Sequence, residues 1–121
     1  MADYLPLYTP GESITRQASA AITGGQLVAV SGSGSVAPTS AATAAFVGVA
    51  GFDAASGADV TVRVGGVQRL TAVGAIAAGD IVVAAAGGGV ATNAAPGAGQ
   101  QVGVALAAAA NGARAEILMV R

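Results

Sequence analysis

The chain contains no Cys, no His, no Trp and no Lys. Each absence closes a branch of chemistry. Without Cys there are no disulfides, and without Cys and His the usual zinc ligand sets are gone. The same two absences remove Ser–His and Cys–His nucleophile pairs. Without Lys there is no Schiff base, no P-loop lysine and no attachment point for biotin or lipoate, although Gly- and Val-rich hairpins would otherwise suit a carrier domain. Charge is scarce in both signs: six acidic side chains, five Arg and a net charge of −1. That leaves no electrostatic footprint for nucleic acid. Long apolar runs are missing too. The uncharged stretches 17–52 and 81–113 are each broken by Gly clusters, a Pro and polar residues, so neither is the run of roughly 20 apolar residues that a membrane span needs. No Lys or Arg precedes Arg16, so the N-terminal residues do not read as a secretory signal. The expectation is a soluble chain without membrane, nucleic acid, metal or cofactor, and not an enzyme.

Small residues take the place of all these. Ala (32) and Gly (19) together make up 51 of the 121 residues. Burial of a Val or Leu side chain stabilises by about 1.5–3 kcal/mol, and Ala contributes much less. A core of Ala and Val is therefore thin for its length. Small cores are usually supplemented by disulfides, metals or partner chains, and here association with other chains is the remaining option.

The order of these residues repeats. Residues 21–64 and 75–119 align so that Ile22, Gly25 and Leu27 fall on Ile76, Gly79 and Ile81, and Val36-Ala37 on Val90-Ala91. After a one-residue insertion, Val47-Gly48-Val49-Ala50 falls on Val102-Gly103-Val104-Ala105. Between 46–64 and 101–119, eight of nineteen positions are identical, where so Ala-rich a composition gives roughly two or three by chance. One supersecondary unit used twice implies a pseudo-symmetric single domain, because a solenoid needs about three copies or more.

Along the chain, short apolar runs alternate with Gly-rich turns. Strands are expected at 12–20, 26–31, around 36–37, at 46–52, 59–64 and 67–72, then at 81–85, 90–91, 102–107 and 115–120. Asp59–Val64 alternates with period two, placing Val60, Val62 and Val64 on one face. The run 115–120 instead carries Ala115, Ile117 and Met119 on one face and Glu116, Leu118 and Val120 on the other. Two apolar faces imply contact on both sides, one internal and one with another chain. The Ala-rich stretch 39–44 could supply a single helical turn. The fold class read from this pattern is all-β: a small barrel or sandwich built from two pseudo-repeated β-units. Residues 12–121 form its single domain. Residues 1–11 differ in kind. They hold Tyr4 and Tyr8, half the aromatic residues of the chain, with Leu5, Leu7 and two Pro. Pro biases its surroundings toward extended backbone, and disordered tails are usually aromatic-poor. This reads as an extended arm with apolar hooks.

Few constellations could carry chemistry. Gly87-Gly88-Gly89 lacks the Lys-Ser/Thr of a phosphate loop, and the first copy has Ser-Gly-Ser-Gly-Ser in its place, so both read as hairpin loops. Asp53, Asp59 and Asp80 lack calcium-loop spacing; turn capping is the reading for Asp59 and Asp80. Arg63 and Arg69, with Leu118 and Val120, are the candidate subunit-interface residues, Arg being enriched at interfaces.

The block 24–66, followed by AIAAGDIVVAAAGGGVAT and a closing VGVALAAAANGARAEILM, resembles the capsid cement, or head decoration, proteins of tailed bacteriophages. The opening YLPLYTPGESIT is similar to the arm of such proteins from phages of actinobacteria. The resemblance implies a β-rich structural protein on the outer surface of the assembled virion. Such proteins commonly form homotrimers at three-fold and quasi-three-fold positions and clamp neighbouring major capsid proteins. Tyr4, Leu5, Leu7 and Tyr8 are then the expected capsid contacts. The competing reading is a virion-displayed binding module for carbohydrate or a host surface. Against it, there is no Trp, and Phe46 and Phe52 lie in apolar strand segments.

Overall fold

Runs of three to six residues, mostly centred on Val, Ile or Leu and separated by glycine-containing turns, fold as ten strands among the described residues, which in this computed structural model are Leu7 and 13–121. They are β1 (Ile14–Ala18), β2 (Leu27–Gly32), β3 (Ser35–Pro38), β4 (Phe46–Ala50), β5 (Asp59–Arg63), β6 (Val67–Thr71), β7 (Ile81–Ala84), β8 (Val90–Thr92), β9 (Gln101–Ala105) and β10 (Arg114–Met119). The protein is all-β. Residues 39–44 form no helical turn; the short 3₁₀ turn among the described residues is instead Ala86–Gly88, with Gly87 at φ 66°. Helix propensity of Ala is a weak prior, and Thr39 is held elsewhere, as described below.

β1–β3–β2–β4–β5 close into a barrel, with β1 antiparallel to β5 and parallel to β3. β6–β10–β9–β7–β8 form a five-stranded sheet. Started from its hairpin strand, the first half runs β3-β2-β4-β5-β1 and the second β8-β7-β9-β10-β6, which is the same order. The seams differ. β1 and β3 pair through Gln17↔Ser35 and Ala18↔Val36, whereas β6 and β8 meet only at the Ala72↔Val90 bridge.

Individual hydrogen bonds recur from half to half. Ile22 and Ala54 exchange backbone bonds of 2.8 and 2.9 Å, as do Ile76 and Ala109. Gly25 N–H donates to Ala50 O at 2.9 Å and Gly79 N–H to Ala105 O at 2.7 Å. Gln26 Oε1 accepts from Thr23 N–H at 2.8 Å, and Asp80 Oδ2 from Ala77 N–H at 2.9 Å. Both halves also bring two strands unusually close: a Cβ on Gly48 would collide with Arg63 O, and one on Gly103 with Leu118 O.

The interiors are filled by matching residues. Inside the barrel lie Ala18, Ile22, Val28, Val36, Ala50, Ala54, Val60 and Val62. The second cluster holds their counterparts, including Ala72, Ile76, Val82, Val90, Ala105, Ala115 and Ile117, and adds Leu27, Phe46 and Val49 from the outside of the barrel. The halves thus share one apolar cluster. Polar contacts follow the same junction. Buried Thr39 donates from Oγ1 to Ala85 O at 2.9 Å, and its carbonyl accepts from Gly88 N–H at 3.0 Å. Gln26 Nε2 donates to Gly87 O at 3.1 Å. No buried side-chain nitrogen or oxygen among the described residues lacks a partner.

Candidate interaction surfaces

The outer face of the second sheet carries an apolar row built by register. β10 alternates, with Ala115, Ile117 and Met119 buried and Glu116 and Leu118 exposed. Leu118 lies opposite Val67 on β6 and Val104 on β9, and Val104 lies opposite Ile81 on β7. Leu118 is 48% and Val67 55% exposed, while Val104 and Ile81 are half-buried. One neighbouring position pairs Glu116 with Arg69 across β10 and β6, so opposite charges flank the row. Val120, exposed just past the end of β10, donates its N–H to Val102 O at 2.9 Å.

A second apolar surface lies at one end of the barrel. Val30 is 57% exposed, and Val47 and Val64 are half-buried. They line a cleft of about 340 Å³ with Ala45, Phe46 and Arg121. The Arg121 guanidinium sits 4.0 Å from the centre of the Phe46 ring and donates to Ala44 O at 2.7 Å and Gly99 O at 2.9 Å. These contacts hold one wall of the cleft in place. Ile14 and Arg16 border the adjoining depression, which also reaches Val30 and Val47.

The four expected subunit-interface residues are not gathered at one point. Leu118 and Arg69 share the outer face of the second sheet, and Val120 extends it at the strand end. Arg63 stands on β5 in the barrel, exposed and paired across to Val49. Of the expected arm contacts, Leu7 is 85% exposed; Tyr4, Leu5 and Tyr8 lie outside the described residues. Phe52 lies beyond the end of β4 and is half exposed. The carboxylates act locally. Asp80 Oδ2 caps the Ala77 turn and also accepts from Thr92 Oγ1 at 2.9 Å, and Asp53 Oδ1 accepts from Gly24 N–H at 2.7 Å. Among the described residues no three His, Cys, Asp or Glu are grouped to hold a metal ion, and no helix is long and apolar enough to cross a membrane.

Sequence reading missed Val67, Val104 and Ile81 as companions of Leu118, because that row exists only through strand register. It also missed that Leu27, Phe46 and Val49 face the second half. A signal was present: Leu70 stands in β6 where β1 has Arg16, so one interior can accept an apolar neighbour at a position where the other has a charge.

Two apolar surfaces on a small Ala- and Val-filled β fold are places where another surface can pack. The chain belongs to the phage cement protein family, whose pattern matches residues 8–121. It is a capsid-associated structural protein of a bacteriophage, and its family is not an enzyme family. No curated protein sequence matches it. In fold it is similar to the N base of the head fibre gp8.5 of bacteriophage phi29, with a TM-score of 0.70 and 17% sequence identity over 89% of this chain and 92% of that one.

Proposed function

We propose that the protein binds the outer surface of the capsid as a homotrimer and staples neighbouring major capsid proteins against internal pressure. The observation that carries this reading, beside family membership, is the apolar row of Val67, Leu118, Val104 and Ile81 standing on the surface. Contiguous apolar patches on a small soluble fold mark interaction sites. The arm supplies the second contact. Tyr4, Leu5, Leu7 and Tyr8 reach the major capsid protein, where the Tyr rings bury area while each hydroxyl stays paired. Arg63 and Arg69 serve the subunit contacts with Leu118 and Val120. Many weak contacts repeated over a shell give large total stabilisation through avidity. Through the arm, the protein resembles cement proteins from phages of actinobacteria.

The virion-displayed binding module gains little support. Phe52 offers one half-exposed ring, and a sugar platform usually needs more aromatic area or clustered polar groups. Purified protein is tested against undecorated capsids and against a glycan array. Saturable capsid binding without glycan binding supports the cement reading; the reverse contradicts it.

A further inference from the structure

The two apolar surfaces correspond to the two sides of a contact the chain already makes within itself. In the shared cluster, Leu27 and Val49 of the barrel's outer face are buried together with Leu70, Ala84, Val102 and Met119 of the second half. By the repeat, the counterparts of Leu27 and Val49 are Ile81 and Val104, the half-buried part of the surface row. The counterparts of Ala84, Val102 and Met119 are Val30, Val47 and Val64, which line the cleft at the barrel end. So each half has a row and an end. The row of the first half is covered by the end of the second. What remains uncovered is the row of the second half and the end of the first.

We propose that the free row seats at the free end of another copy of the chain, repeating between molecules the contact made within one. Ile81 and Val104, with Leu118 beside them in the row, cover the cleft around Val30, Val47 and Val64. Two local differences fit this assignment. Val30 replaces the smaller Ala84 and adds apolar area in the open cleft, while Arg16 in place of Leu70 sets a charge at its border. Leu118 replaces Arg63, so the free row is apolar along its whole length, while the covered row ends in a charge left in solvent. Such a contact joins two different patches, so it is heterologous and must either close into a ring or grow without limit. A ring of three copies alternates six similar units. The contact stands on intrachain geometry; it rests on the trimeric reading above only for the number three.

The chain has no Cys, so introduced thiols report unambiguously. The full-length double variant Val30→Cys/Leu118→Cys, treated in solution without capsids with a short bismaleimide, should give a ladder that stops at the trimer. Each single variant should give no cross-linked species, and an equimolar mixture of the two should give dimers only. Both positions are exposed, so folding should be unaffected, which far-UV circular dichroism checks. A dimer from Leu118→Cys alone would mean a two-fold contact and would overturn the proposal. So would linkage of Val30→Cys to Leu7→Cys within one chain, which would make the arm the occupant. Absence of any cross-link overturns it as well, and sedimentation of the wild type then shows whether a trimer forms by another contact. Capsid binding is measured separately and is untouched by these outcomes.

Discussion

Gly48 and Gly103 stand at the same place in the two halves, and a methyl group at either would strike the carbonyl oxygen of the neighbouring strand. The obstacle is backbone, so relief requires moving a strand. Gly57 has a different reason to be glycine. Its φ is +90° and nothing lies within 4 Å of a Cβ placed there, so Ala there meets only the left-handed backbone cost of about 1–2 kcal/mol. Gly103→Ala should therefore destabilise by about 2–4 kcal/mol, within the range of overpacked cores, and more than Gly57→Ala. Urea unfolding of the two variants checks the order. Thr39 gives a second residue-level expectation. Thr39→Val keeps the shape but removes the Oγ1 bond to Ala85 O at the junction of the halves. A lost buried hydrogen bond costs about 1–3 kcal/mol, and the loss should appear in the midpoint of unfolding with the m-value unchanged.

At the scale of elements, the strand pattern was legible because Gly turns and Val-rich runs are local signals. Observed strands fall within one or two residues of those read from 26–31, 59–64, 67–72 and 81–85. The helical turn that Ala propensity allowed at 39–44 does not form: Thr39 is drawn to Ala85 and Gly88, 46 and 49 positions along the chain. Leu118 was legible as an outward apolar residue from alternation alone. Its companions Val67, Val104 and Ile81 were not, because register between strands is set by tertiary pairing. The repeat makes its own expectation: residues 21–64 and 75–119 should superpose as β-units related by an approximate two-fold, as the matching strand order and hydrogen bonds suggest. Least-squares superposition of the two segments tests this, and different strand pairing in them would contradict it. The arm makes another. Deleting residues 2–10 should leave the melting temperature nearly unchanged and weaken capsid binding at least about tenfold, a loss of roughly 1.4 kcal/mol. Full affinity after truncation would place the clamp in the β fold.

For the whole molecule, the shared cluster implies cooperation between the halves. Leu27, Phe46 and Val49 lose their burial if the second half opens. Residues 12–121 should accordingly unfold as one domain, with calorimetric and van't Hoff enthalpies equal; two resolved transitions would separate the halves. Association comes next. Leu118 is half exposed in the single chain, so Leu118→Asp should spare folding and weaken assembly, a carboxylate buried without a partner costing several kcal/mol. Unchanged oligomer mass and unchanged capsid occupancy would remove Leu118 from the interface. Stapling of the shell surface is tested by cryo-electron microscopy of undecorated capsids saturated with the purified protein. Trimeric density is expected on the outer surface at three-fold and quasi-three-fold positions, repeated over the whole shell as avid decoration requires, with the arm reaching adjacent major capsid proteins. Bare capsid lattices, or density confined to a few copies at one vertex, would contradict it.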